Sequence, residues 1–263
     1  MLIKLFKHEF KATGRIFLPM YALLVVFSVI TKYVNQNMRV DSLLFGILSY
    51  LPTLMYICII AGICMMTLVL LIQRFFKNLL GPEGYLMHTL PVRPWQHVAC
   101  KLLTSTFWSI SSMCIVSLSS LYMGVNVQDW HSFIATFRGM LAVAAAPLNL
   151  TANAFFWGLI AVLVAYVIKM TLMIYAGLGI GQLSSKRKVG ASVLAIVGLN
   201  IVEQLAAVIV LVLWGESSGI LSHGSGAEII RFVFWWIMGS AGLFSVIYAF
   251  VCNWMLKRNL NLA

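Results

Sequence analysis

Apolar residues follow one another along this chain without the regular polar interruptions that a water-facing helix or strand requires. Six stretches, at 16–34, 43–73, 102–124, 153–182, 190–214 and 232–255, are long enough to be membrane spans. About 20 helical residues cross a hydrocarbon core of ~30 Å. None of the six alternates as a barrel strand does, and backbone groups in lipid are satisfied only within helices or closed barrels. All six are predicted as transmembrane helices. The second exceeds a perpendicular crossing, so it must tilt, kink at Pro52 or project beyond the bilayer.

Two other segments carry a one-sided pattern. In residues 1–15, Leu2, Ile3, Leu5, Phe6 and Phe10 mark one face of a helix, and Lys4, Lys7, His8 and Lys11 the other. This predicts a separate amphipathic helix in the membrane interface, with Gly14 and Pro19 bracketing a bend into the first span. In 125–150, Trp130, Phe133, Ile134, Phe137, Met140 and Leu141 recur at three-four spacing among Asp129, Ser132, Thr136 and Arg138. The expectation is a short helix lying on the outer leaflet or capping a central opening.

Charge orients the spans. With the N-terminus inside, the cytoplasmic set is Lys4, Lys7, Lys11, Arg15, Arg74, Lys77, Arg93, Lys101, Lys186, Arg187, Lys188, Lys257 and Arg258. Arg39, Arg138 and Arg231 fall outside, with Lys32 near the outer end of the first span. That asymmetry places both termini in the cytoplasm. The expected fold is an all-α integral membrane protein: an interfacial helix plus six transmembrane helices, forming one domain over 1–263.

Composition narrows the class. The chain is 62% hydrophobic and 10% charged, with mean hydropathy +0.97, against about 45–50% and about 25% in soluble domains. A soluble enzyme is excluded. The net charge of +11 would suggest nucleic acid in a soluble chain, but here the basic residues flank apolar runs, where they set topology and meet anionic lipid heads. No nucleic-acid partner is expected. Of the five cysteines, all but Cys100 lie within apolar runs, which gives a disulfide framework no support. His88, His97 and Cys100 lack a fourth ligand for zinc, and an amphipathic loop is the simpler reading. The first apolar run is followed by no small-x-small cleavage site and is read as retained.

Catalytic motifs are sparse. There is no GxxxxGK[ST], HExxH or EF-hand pattern. Gly215-Glu216-Ser217-Ser218-Gly219 matches G-x-S-x-G, but it follows an apolar helix rather than a strand and reads as a turn. Gly177 and Gly181 form a GxxxG at the end of the fourth span, which serves either packing within the chain or a dimer contact. Two charges lie deep in the membrane. With edges at Gln182 and Gly190, Lys169 and Glu203 are each thirteen residues in, so antiparallel neighbours would hold them at one depth. They are expected either to form a structural ion pair or, with Asn200, to face a translocation pathway.

The segment between the second and third spans is polar enough to leave the bilayer yet rich in Phe, Leu and Tyr, so a partner or the lipid interface must cover it. It contains Glu83, Gly84, Tyr85, Leu86, Leu90 and Pro91, with Lys101 opening the next helix. Acidic residue, glycine, short apolar segment, Leu-Pro and lysine together resemble the ABC-2 type exporter permeases, above all the small six-helix permeases of Gram-positive bacteria. The resemblance extends over the whole chain, from the basic amphipathic start through the six spans to the two cytoplasmic ends.

The resemblance implies a half-transporter in the plasma membrane, itself not an enzyme and without a cofactor of its own. Two permease chains, identical or different, would pair across a central pathway, with ATP and Mg held by two copies of a separate ATPase chain. Residues 74–101 would be the coupling loop that enters the ATPase, with Glu83, Gly84, Tyr85, Leu86, Leu90 and Pro91 at the contact. Residues 1–15 would be the connecting helix. The cargo implied is an amphipathic or antimicrobial peptide, a drug or a lipid. The other class weighed, an ion-coupled transporter or channel without an ATPase, would usually line its path with more buried ionisable groups than the two central ones here.

Overall fold

A computed structural model describes residues 2–37, 43–76, 94–184, 188–220 and 224–258. Among them the chain is all-helical: α1 Leu2–Asn37, α2 Leu43–Phe75, α3 Pro94–Gly124, α4 Trp130–Ala145, α5 Ala152–Gly181, α6 Lys188–Ser217 and α7 Gly226–Arg258. Short 3-10 turns, Val127–Asp129 and Ala146–Leu148, flank α4. Seven helices are long and apolar enough to cross a membrane. Large apolar side chains stand exposed along all of them, as expected where lipid rather than water is the solvent.

Several boundaries differ from the sequence expectation: α3 opens at Pro94 rather than 102, so residues 94–101 of the expected 74–101 coupling loop are helical, and α7 opens at Gly226 rather than 232. The amphipathic segment 1–15 is not a separate element, because α1 runs as one helix of 36 residues through Gly14 and Pro19. An internal proline removes one backbone hydrogen bond, and the apolar turns on either side carry the helix past it. Segment 125–150 is also more helical than a short surface element. Together with its following turn, α4 gives a seventh apolar stretch, Trp130–Leu148, of 19 residues. Its single charged side chain, Arg138, does not break the run.

The chain divides into two compact units. The first comprises residues 1–71 and 103–133, bringing together α1, most of α2 and most of α3. Its core is Phe17, Tyr21, Leu24, Tyr56, Ile63, Leu70 and Trp108. Phe17 stacks on Trp108 with ring centroids 5.1 Å apart and planes within 9°. Hydroxyl groups tie the helices together. Tyr21 shares a 2.7 Å hydrogen bond with Ser112, Tyr56 one of 2.9 Å with Ser119, and Thr31 donates to the Pro52 carbonyl at 3.1 Å. Such bonds join helices where burial of apolar surface supplies no drive. Lys32 is buried and donates to the carbonyls of Tyr122 and Val125, with its ammonium 4.2 Å from the Tyr122 ring centroid. A cation on the last carbonyls of α3 meets the negative end of that helix, so this charge needs no carboxylate.

The second unit comprises residues 72–102 and 134–263. Here α5 packs along both α6 and α7, while α6 and α7 barely meet. Local chemistry sets the helix starts. Thr151 caps α5 by accepting from Ala154 N at 3.3 Å. Ser225 and Glu228 form a reciprocal capping box on α7, with Ser225 N donating to Glu228 at 2.9 Å. α6 ends at Ser217, and the chain turns at Gly219, whose φ of +68° suits glycine. The turn at 146–148 is held to α7 by Arg231, which donates to the Pro147 carbonyl at 3.2 and 3.3 Å.

Candidate functional site

The α5–α6 seam is built on absent side chains. A Cβ on Gly181 would lie 2.5 Å from the backbone nitrogen of Ser192 and closer still to its Cα and Oγ. A Cβ on Gly177 would collide with the Ile196 side chain and reach 3.1 Å from its Cα. The GxxxG is thus spent on packing within the chain, where the sequence left a dimer contact equally open. Facing pairs fall in antiparallel register: 181 with 192, 177 with 196, and 173 with 200, where Asn200 Nδ2 lies 3.8 Å from Met173 Sδ.

That register brings Lys169 opposite Glu203. Each is only 7% exposed, and Lys169 Nζ donates directly to Glu203 Oε1. The second carboxylate oxygen accepts from Tyr248 Oη of α7 at 2.8 Å. The ammonium also lies 4.4 Å from the centroid of the Tyr166 ring, one turn away on α5. Both charges are therefore compensated, the anion by two donors and the cation by an anion and a ring face. The Tyr248 ring itself belongs to a buried apolar cluster with Leu172, Met173 and Ala176. Asn200 is near but not a member: it accepts from Gln204 Nε2 at 3.0 Å.

Six residues further along α5, Tyr175 is 1% exposed. Phe75, at the end of α2, stacks on it with centroids 4.0 Å apart and planes within 11°. The Tyr175 hydroxyl reaches the carbonyl of Lys101, in the second turn of α3, at 3.4 Å. Both stems of the segment joining α2 to α3 thus rest on one α5 side chain.

No family model, curated protein or solved structure matches this chain.

The remaining sequence candidates divide by position. Glu83, Gly84, Tyr85, Leu86, Leu90 and Pro91 lie outside the described residues, as does His88. Cys100 is fully buried, and among the described residues no three His, Cys, Asp or Glu side chains converge as a metal site would require. Ser217 sits in the last turn of α6 with its hydroxyl donating to the Trp214 carbonyl at 2.9 Å, which is ordinary helix-end chemistry. Tyr248 and Tyr175 were not singled out from sequence. Near the end of an apolar run a tyrosine reads as an interfacial aromatic, and only the packing of α5 against its neighbours reveals either partner.

Proposed function

We propose that this chain is the membrane-spanning permease subunit of an ATP-driven exporter. It would form half of a translocation pathway and draw its energy from a separate ATPase chain. The observation that carries this reading is the Tyr175 clamp: the stems of the segment holding Glu83-Gly84 and Leu90-Pro91 are anchored on α5, the helix that packs against both α6 and α7. A push on that segment from a docked partner would reach α5 through a stacked aromatic pair rather than dissipate in a loop. These 263 residues carry no P-loop, so in this reading the work is supplied by a separate ATPase. An amphipathic peptide, a drug or a lipid fits a protein whose exposed helix faces are apolar. In this scheme the Lys169–Glu203–Tyr248 cluster is a structural tie within the permease, because it joins α5, α6 and α7 through two buried charges that compensate one another.

The expected result is that Glu83→Arg leaves the helices folded but uncouples ATP hydrolysis from export. Tyr175→Leu, which removes the stack, should lower coupled transport by up to about tenfold, the equivalent of an aromatic pair of ~0.5–1.5 kcal/mol. Tyr175→Phe should retain coupling, since it keeps the ring stack and loses only a hydroxyl contact that is long for a hydrogen bond at 3.4 Å. Export by Glu83→Arg at wild-type level, with normal assembly, would show that the partner docks elsewhere.

The ion-coupled alternative finds its support in the buried Lys169–Glu203 pair, since ionisable groups at membrane depth also serve proton and ion carriers. It predicts transport that follows an ion gradient and ignores ATP.

A further inference from the structure

Gln204 follows Glu203 in α6 but stands on a different face, exposed. It lies near the middle of a thirty-residue helix, at the depth of the Lys169–Glu203 pair. Around it run Val193, Val197, Ile201, Val208 and Val212, all between 43% and 58% exposed. Their spacing of three and four residues makes them one stripe along the helix. Ser192, Ile196 and Glu203, which face α5, lie roughly a third of a turn round at 3.6 residues per turn. Of the seven apolar helices among the described residues, α6 is the least covered, with 6% of an 18-residue apolar stretch buried.

Valine and isoleucine are at ease in hydrocarbon; a primary amide at the bilayer centre is not. Only one Gln204 hydrogen is engaged, donated to Asn200 Oδ1 at 3.0 Å. Among the described residues its carbonyl oxygen accepts nothing, and its second N–H has no acceptor. Leaving such groups in lipid is costly, and helices resolve the cost by bonding across to another helix. An amide carries both donors and an acceptor, so it complements itself. Where two identical helices cross at a twofold axis, a residue beside the axis meets its own copy.

We infer that the Val193–Val212 stripe is a self-association face, on which α6 of one chain crosses α6 of a second copy with the two Gln204 amides bonded to each other. This rests on the two-chain permease reading and specifies its seam. The pair Lys169–Glu203 then holds α6 to its own bundle, while Gln204, on another face, holds it to the partner.

The test is disulfide trapping of the full chain in its native membrane. The exposed Cys58, Cys64 and Cys114 are replaced by alanine, and the buried Cys100 and Cys252 are kept. Single cysteines are placed at Val197, Gln204 and, as a control, Ile209, which is 56% exposed on another face of α6. Oxidation should link Val197→Cys and Gln204→Cys into dimers and leave Ile209→Cys monomeric. In an uncrosslinked comparison, Gln204→Leu should weaken self-association roughly three- to tenfold, the range for interhelical hydrogen bonds in a bilayer, and Gln204→Asn should restore part of it. A dimer by light scattering that never links through Val197→Cys or Gln204→Cys would overturn this seam and leave the permease reading standing. A chain that is monomeric throughout, alone and with its ATPase, would overturn both.

Discussion

Removing one partner of the buried pair, by Lys169→Met or Glu203→Gln, is expected to destabilise the second unit by about 3–5 kcal/mol, because the charge left behind keeps its burial and loses its counterpart. The double variant Lys169→Met/Glu203→Met should fold close to wild type, since two apolar groups of similar size cost little in that place. Charge exchange, Lys169→Glu/Glu203→Lys, should recover only part of the loss. In the native arrangement the carboxylate accepts from Tyr248 and the ammonium faces the Tyr166 ring. Exchange would turn a carboxylate toward that ring and an ammonium toward the Tyr248 hydroxyl. Titrating the folded fraction with denaturing detergent reads all four variants. Wild-type behaviour of the single variants, or a double variant as damaged as their sum, would contradict the pairing.

The second large effect is steric. Gly181→Ala should cost on the order of 1–3 kcal/mol, as overpacked cores do, and Gly181→Leu should prevent α5 and α6 from closing. The obstacle is the backbone of residue 192, with its nitrogen 2.5 Å from the added Cβ. Rescue by Ser192→Gly is therefore expected to fail. Gly177→Ala is different, since the backbone of residue 196 comes no nearer than 3.1 Å and the severe clash is with the Ile196 side chain alone, so Ile196→Ala should recover much of its stability. Gly198→Ala is the control: on the same seam helix, it has open space where the Cβ would go, and it should be neutral or stabilising by up to about 1 kcal/mol. Thermal unfolding in detergent distinguishes these outcomes. Equal damage at 181 and 198 would mean that the two helices do not pack as described.

Much of the architecture is legible in the residues because lipid imposes simple rules. Continuous apolar runs forced helices at the six expected spans, and counting residues from the basic turn at 186–188 put Lys169 and Glu203 at one depth. What the pattern could not give was facing. Hydropathy is averaged around a transmembrane helix, so nothing in α7 marked Tyr248 as the residue that closes on Glu203, and nothing in α5 marked Tyr175 as the support of two other helices. The GxxxG announced close packing without naming its partner, since Ser192 and Ile196 become recognisable only once the antiparallel register is known. Gly14 and Pro19 make the amphipathic start read as a separate element with a bend after residue 15. The continuous α1 shows that apolar turns on both sides outweigh one lost hydrogen bond. In segment 125–150 the three-four apolar spacing with polar residues between reads as a short surface helix, yet those polar residues are too few to keep Trp130–Leu148 below the apolarity of a span.

The proposed function requires energy supplied from outside the chain. Native mass measurement of the full-length tagged protein, extracted from its own membrane, addresses that directly when paired with ATP hydrolysis by the same preparation. The expected particle holds two permease chains and two copies of a P-loop ATPase, with hydrolysis abolished by replacing the P-loop lysine of that second subunit. A preparation without any nucleotide-hydrolysing subunit, which in vesicles moves its cargo down an ion gradient whether or not ATP is present, would contradict it.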